Sequence, residues 1–111
     1  MIHPLIFVCS PYRGDVEANV RQAGRFCRFV YEQQAVPFAP HLLYPQFLDD
    51  EIPDERHAGL CMGIAFLKKC NKLWVFGEPT EGMSREIAAA TALGIPIRRF
   101  STDCREVCAD E

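Results

Sequence analysis

The sequence predicts an α/β fold: one domain with a parallel sheet in the doubly wound order 2-1-3-4, flanked by helices. Two observations predict it. Short apolar runs alternate with amphipathic stretches of roughly 11 to 18 residues, the pattern of βαβ crossovers. Two of the loops that follow apolar runs also contain glycine and lead into a helix start. In open α/β sheets such loops meet at the crevice beyond the strand ends, where ligands bind.

Each element has its own signal. Leu5 to Cys9 is a short run of branched and aromatic residues, hence a buried first strand. Ser10 to Asp15 is a turn-rich loop, and Asp15 suits a helix N-cap. From Val16 to about Gln33, the residues Val16, Val20, Ala23, Cys27 and Val30 mark one buried helix face. Ala35 to Pro40 reads as a second strand, placed at an edge by its prolines. His41 to Asp50 reads as a loop with a helical turn. Pro53 opens a helix to about Lys69, with Leu60, Ile64 and Leu67 inward.

Lys72 to Gly77 is the third strand and Glu78 to Gly82 the loop after it. A helix from about Met83 to Leu93 follows, closed by Gly94. Ile95 to Phe100 is a fourth strand, with Pro96 suggesting an edge position. Residues 101–111 read as a polar C-terminal tail or frayed helix, within one domain spanning residues 1–111. The switch point of the 2-1-3-4 order lies between strands one and three. The loops Ser10 to Asp15 and Glu78 to Gly82 are therefore expected to face one crevice.

Composition narrows the function classes. A formal charge of -3 leaves no basic field for a nucleic-acid backbone. A small anion can still be held by backbone amides and one or two arginines. No apolar stretch approaches the roughly 20 residues of a membrane span. The run Met1 to Val8 lacks a cationic leader and enters a strand directly, which argues for the cytoplasm. None of the six cysteines forms a C-x-x-C pair. Free buried thiols are expected, with Cys9 at a strand end and Cys27 and Cys61 on apolar helix faces. Cys104 and Cys108 have i,i+4 spacing but no further ligand nearby, so no metal site is expected.

The chemistry concentrates at Thr80-Glu81-Gly82-Met83-Ser84-Arg85-Glu86, beyond the third strand. A solvated Glu there only complements the helix dipole. A Glu turned into a pocket is a nucleophile or a base. Thr80 or Ser84 either caps the helix or holds a phosphate with the helix amides. Arg13-Gly14 offers a planar fork and an open backbone to an anion; the alternative is a solvated loop arginine. His41 is either a structural histidine or a contact to a base. His57 reads as a surface residue, Asp49-Asp50-Glu51 as a solvated acidic turn, and Trp74 as core.

Phe7-Val8-Cys9-Ser10-Pro11-Tyr12-Arg13-Gly14, Ala39-Pro40-His41, Leu73-Trp74-Val75-Phe76-Gly77 and Glu81-Gly82-Met83-x-x-Glu86 together resemble the nucleoside 2-deoxyribosyltransferase-like superfamily. The resemblance is nearest to its small bacterial and phage members and covers about Leu5 to Phe100. It implies a Rossmann-like parallel sheet of four to five strands and a homodimer or larger oligomer. It also implies a small nucleoside or nucleotide as ligand, with no cofactor. Members cleave or transfer the N-glycosidic bond of deoxynucleosides or their monophosphates. Glu86 matches their nucleophile, Arg13 and Gly14 their first-loop nucleotide contacts, and Thr80 the phosphate-contacting serine of the hydrolases. Ser10, Tyr12, His41, Gly82 and Met83 complete the expected substrate contacts.

Two positions depart from the active pattern. Phe7 replaces the tyrosine that hydrogen-bonds the nucleophile, and Gly63 replaces an aspartate that assists at the base or sugar. Tyr12 is the candidate for the lost hydroxyl. Asp54, Glu55 or His57 is the candidate proton source if brought inward. These losses leave three readings: a glycosidase or transferase, a nucleotide-binding module without chemistry, and a scaffold with an empty crevice.

Overall fold

The computed structural model describes residues 3–107. Strand β1 (Leu5–Cys9) leads to helix α1 (Val16–Glu32) and strand β2 (Val36–Phe38). A short helix α2 (Pro40–Leu43) and a 3-10 turn (Tyr44–Gln46) precede helix α3 (Pro53–Leu67). Then come β3 (Lys72–Phe76), α4 (Glu81–Ala92), β4 (Ile97–Phe100) and β5 (Glu106–Val107). The sheet order is β2-β1-β3-β4-β5. The first four strands are parallel, and β5 runs antiparallel to β4.

The expected 2-1-3-4 order is therefore present, with a fifth strand added. That strand corrects two expectations. β4 is not an edge, because Pro96 lies just before the strand and leaves its ladder intact. Part of the polar tail is not helix either, since Arg99 and Phe100 pair with Val107 and Glu106. Arg98 secures the junction through a 2.8 Å bond from Nε to the Glu106 carboxylate. Cys104 sits in the turn between the strands with φ near 60°, so helical i,i+4 spacing does not apply to it. Cys108 lies outside the described residues.

Strand residues alternate between two apolar layers, because successive side chains point to opposite faces. Ile6, Val8, Trp74, Phe76 and Phe100 pack against Phe26 and Val30 of α1. Phe7, Cys9, Leu73 and Val75 pack against Leu67 of α3 and Met83 and Ala90 of α4. Helix faces differ in detail from the periodicity reading. Ala23, Phe26 and Val30 form the buried stripe of α1, while Val16 is exposed and Val20 and Cys27 are half-buried. Phe26 fits the i+3 and i+4 spacing as well as Cys27 does, and its larger ring takes the interior. In α3, Gly63 and Leu67 are buried, while Leu60, which borders a cleft, and Ile64 are half-buried. Cys61 is exposed, contrary to expectation; among the described residues Cys9 and Cys70 are the buried thiols.

Asp15 caps α1 as expected, accepting a hydrogen bond from the Ala18 amide at 3.2 Å. Helix α4 starts at Glu81, two residues before the expected Met83, because Thr80 takes the N-cap. Gly94, at φ 72°, turns the chain out of α4 as a left-handed residue does. Both crevice loops leave the C-terminal ends of adjacent strands β1 and β3, as the switch-point argument requires.

Phe76 is fully buried, with the Phe26 ring stacked at 4.4 Å and Phe100 at 5.1 Å. Phe76→Ala is expected to lose about 3–5 kcal/mol, since a rigid strand pair cannot close over the cavity. Urea denaturation of the variant beside its parent measures the loss.

Candidate active site

Helix α4 carries one acidic side chain inward. Met83, Glu86 and Ala90 are spaced by three and four residues on the stripe facing the sheet. An apolar residue is ordinary at the middle position; Glu86 stands there, only 5% exposed. Its Oε1 atom is buried with no hydrogen-bond partner. Burial lifts its pKa from 4.5 to about 7, against a weaker downward pull from the thiol of Cys9. The charged form is therefore costly and reactive, as a nucleophile or base needs to be.

Glu86 borders a cleft of about 520 Å³, within the usual range for small-molecule sites. Tyr12, Arg13, His41, Thr80 and Gly82 line the same cleft. The two loops thus share one cavity, as expected from sequence. Three other expected contacts lie elsewhere. Ser10 is buried behind the cleft wall, its Oγ unpartnered. Met83 is buried beneath the α4 N-terminus. Gly14 borders an adjoining hollow, where its φ of 103° suits glycine.

The side chains expected to bind anions are already engaged. Thr80 Oγ1 accepts from the Met83 amide at 3.3 Å and caps α4. Ser84, the other capping candidate, is exposed on the second turn's outer side. Arg13 donates from Nε to Asp50 Oδ2 at 2.8 Å and from Nη2 to the Asp50 carbonyl at 3.3 Å. Asp50 is therefore more than part of a solvated turn. Arg85 bonds Glu81 at 3.1 Å, and Arg56 approaches the same oxygen at 4.0 Å. All three guanidinium groups are more than a third exposed, so an incoming anion competes with pairs worth little.

His41 Nε2 lies 2.8 Å from the Ser10 carbonyl and so carries the proton that it donates there. Burial depresses its pKa, more than the Ser10 bond and Asp50 raise it. A neutral imidazole with Nδ1 as acceptor results. Its ring lies 5.0 Å from that of Tyr12, giving the cleft an aromatic wall. His41 is thus both a satisfied structural residue and a cleft residue.

Tyr44, Asp50, Arg56 and Arg85 also line the cleft, and the sequence did not single them out as site residues. Arg85 adjoins Glu86 in the loop motif, which is a usable signal. Arg13 and Asp50 are 37 residues apart, and nothing local couples them. The space above Gly63 is bounded by Tyr44, Phe7 and Pro40, each 3.9–4.0 Å from where a Cβ would sit. The polar group missing at Gly63 is not replaced by a neighbouring carboxylate. Asp54 is exposed, and Glu55 accepts from the Asp49 amide. His57 is exposed and contacts Cys61 at 3.4 Å, although it lines the cleft rim.

A family model described as a domain of unknown function, DUF7768, matches residues 4–100. No curated protein matches the chain. Among solved structures, a 2-deoxyribosyltransferase from Bacillus psychrosaccharolyticus superposes with a TM-score of 0.71 at 15% identity. That match covers 87% of this chain and 72% of the other. A 2-deoxyribosyltransferase from Leishmania mexicana gives 0.60 at 16% identity, covering 88% of this chain and 64% of that one. The likeness establishes the deoxyribosyltransferase fold, while this chain spans less than two thirds of the Leishmania protein.

Because burial favours the protonated form of Glu86, folding loses stability as pH rises from about 4.5 to about 7. The penalty is absent below that window and complete above it, at about 3 kcal/mol. Glu86→Gln is therefore expected to stabilise the protein by about 2–3 kcal/mol near pH 8, with little change near pH 4. Denaturant titration of both proteins at the two pH values checks this.

Proposed function

We propose that this chain, which belongs to the DUF7768 family, cleaves or transfers the N-glycosidic bond of a nucleoside or nucleotide. The observation that carries the reading is the buried, unpaired Glu86 carboxylate at the edge of a cleft shared by the β1 and β3 loops. The fold is that of enzymes named for deoxyribosyl transfer. The step from fold to activity is made through this site rather than through the fold alone.

In the proposed reaction, ionised Glu86 attacks the anomeric carbon as the bond to the base breaks. The leaving base takes the bonding electron pair and a proton from solvent water, which is left as hydroxide. The sugar is held as an ester on Glu86 until water or a second base displaces it. Tyr12 and His41 offer an aromatic surface to the ligand. Arg13 and the α4 amides hold a 5′-phosphate where one is present, Arg13 first leaving Asp50. No metal or redox group takes part. A homodimer or larger oligomer in the cytoplasm belongs to the same reading.

One observation favours a second reading. Phe7, Tyr44 and Pro40 surround Gly63 where the active pattern has polar groups. Assistance to the leaving base is typically worth ~10²–10⁴-fold, so its loss suits a module that binds a nucleotide without chemistry. Calorimetric binding with no free base detected by chromatography would select that module.

Three outcomes are expected if the first reading holds. Glu86→Gln and Glu86→Ala abolish base release from deoxynucleosides and deoxynucleotides, as chromatography of the products reads; activity surviving either change removes Glu86 as nucleophile. In the parent, kcat/KM rises about tenfold per pH unit below about 7 and levels above it, following Glu86 ionisation. Asp50→Asn frees Arg13 and lowers KM for a 5′-monophosphate several-fold, leaving KM for the parent nucleoside unchanged.

A further inference from the structure

Glu86 lacks the tyrosine hydroxyl expected from the first strand, because Phe7 carries none. The same strand offers a different donor two residues on. Phe7 and Cys9 point to the same face of the sheet, toward α3 and α4. Cys9 is fully buried, with its sulfur 3.8 Å from the Met83 carbonyl, one turn before Glu86. Glu86 stands three residues after Met83 on the same helix, and its buried Oε1 has no partner, so the carboxylate is the free acceptor next to that thiol.

The geometry points to Cys9 as the positioning residue for Glu86: its S–H turns from the Met83 carbonyl to the carboxylate when Glu86 ionises. The proposal rests on Glu86 being the reacting group. Two further observations support it. The contact to Met83 is long, and that carbonyl sits inside α4, where the helix supplies its partner, so the thiol gives it up at little cost. Burial, reinforced by the neighbouring carboxylate, keeps Cys9 protonated and therefore a donor.

Other groups around the carboxylate do not fill this role. Arg13 is paired with Asp50, while Arg56 and Arg85 face Glu81. His41 donates to Ser10, and His57 contacts Cys61 at the rim. Arg99 of β4 lowers the Cys9 thiol's pKa, but only weakly against burial and the Glu86 charge. Tyr44 borders the Gly63 side of the cleft. A thiol donor is weaker than a phenol, which accords with a carboxylate that burial still holds near neutrality.

The test is an NMR titration of the full chain with carboxyl-labelled glutamate, the Glu86 signal being assigned with Glu86→Gln. Cys9→Ala is expected to move the Glu86 midpoint upward by about one unit, since a donor to the charged form is lost. Cys9→Ser, which keeps a donor, is expected to bring it back to the parent value or below. An unchanged midpoint in Cys9→Ala, or equal shifts in the two variants, overturns the proposal. Should Cys9→Ala fail to fold, Cys9→Val, closer to the thiol in volume, replaces it in the same comparison. Base release assayed on these proteins is expected to show its acid limb moving with the NMR midpoint. A parent that releases no base removes the glycosidic reading, while the titration, which needs no substrate, still decides the role of Cys9.

Discussion

A carboxylate held on the apolar face of α4 is the constraint to which the surrounding structure answers. Glu86 lies between Met83 and Ala90, where burial is the rule and charge the exception. Holding it there works against folding, because a buried carboxylate without a full set of donors resists ionisation. The sheet tolerates it because two dense apolar layers, with aromatic stacking around Phe76, stabilise the domain elsewhere. Stability that one position gives up for a reactive group is a common mark of a functional site.

Placement of that carboxylate follows from topology. The chain crosses one way from β1 to β2 and the other way to β3, so the loops after β1 and β3 diverge and leave a crevice. Thr80 then starts α4 directly beyond β3, and the helix delivers Glu86 to the crevice on its second turn. The rim is polar and self-neutralised: Asp50 holds Arg13, and Glu81 faces both Arg56 and Arg85. Exposed pairs of this kind exchange partners easily. They keep three cations at the mouth without committing them, whereas the interior holds aromatic rings and one reluctant anion.

The deoxyribosyltransferase-like fold places the crevice at the ends of the parallel strands. Four parallel strands and their crossovers suffice to form the crevice, and β5 adds only a short antiparallel cover to β4. Phe7, Tyr44 and Pro40 around Gly63 make that side of the fold largely apolar. The upward shift of Glu86 has its own cause, the burial of the carboxylate on the inner face of α4.

The sequence alone determined the alternation of strands and crossovers and the two glycine-bearing loops, because these rest on local periodicity, and the doubly wound class then supplied the 2-1-3-4 order. It also singled out Glu86, since a motif is contiguous in the chain. The choice of Phe26 over Val16 for the interior of α1, the pairing of Glu106–Val107 with β4, and the capture of Arg13 by Asp50 were decided by tertiary structure. Each depends on groups far apart in sequence competing for one space or one partner, and no local pattern records which of them wins.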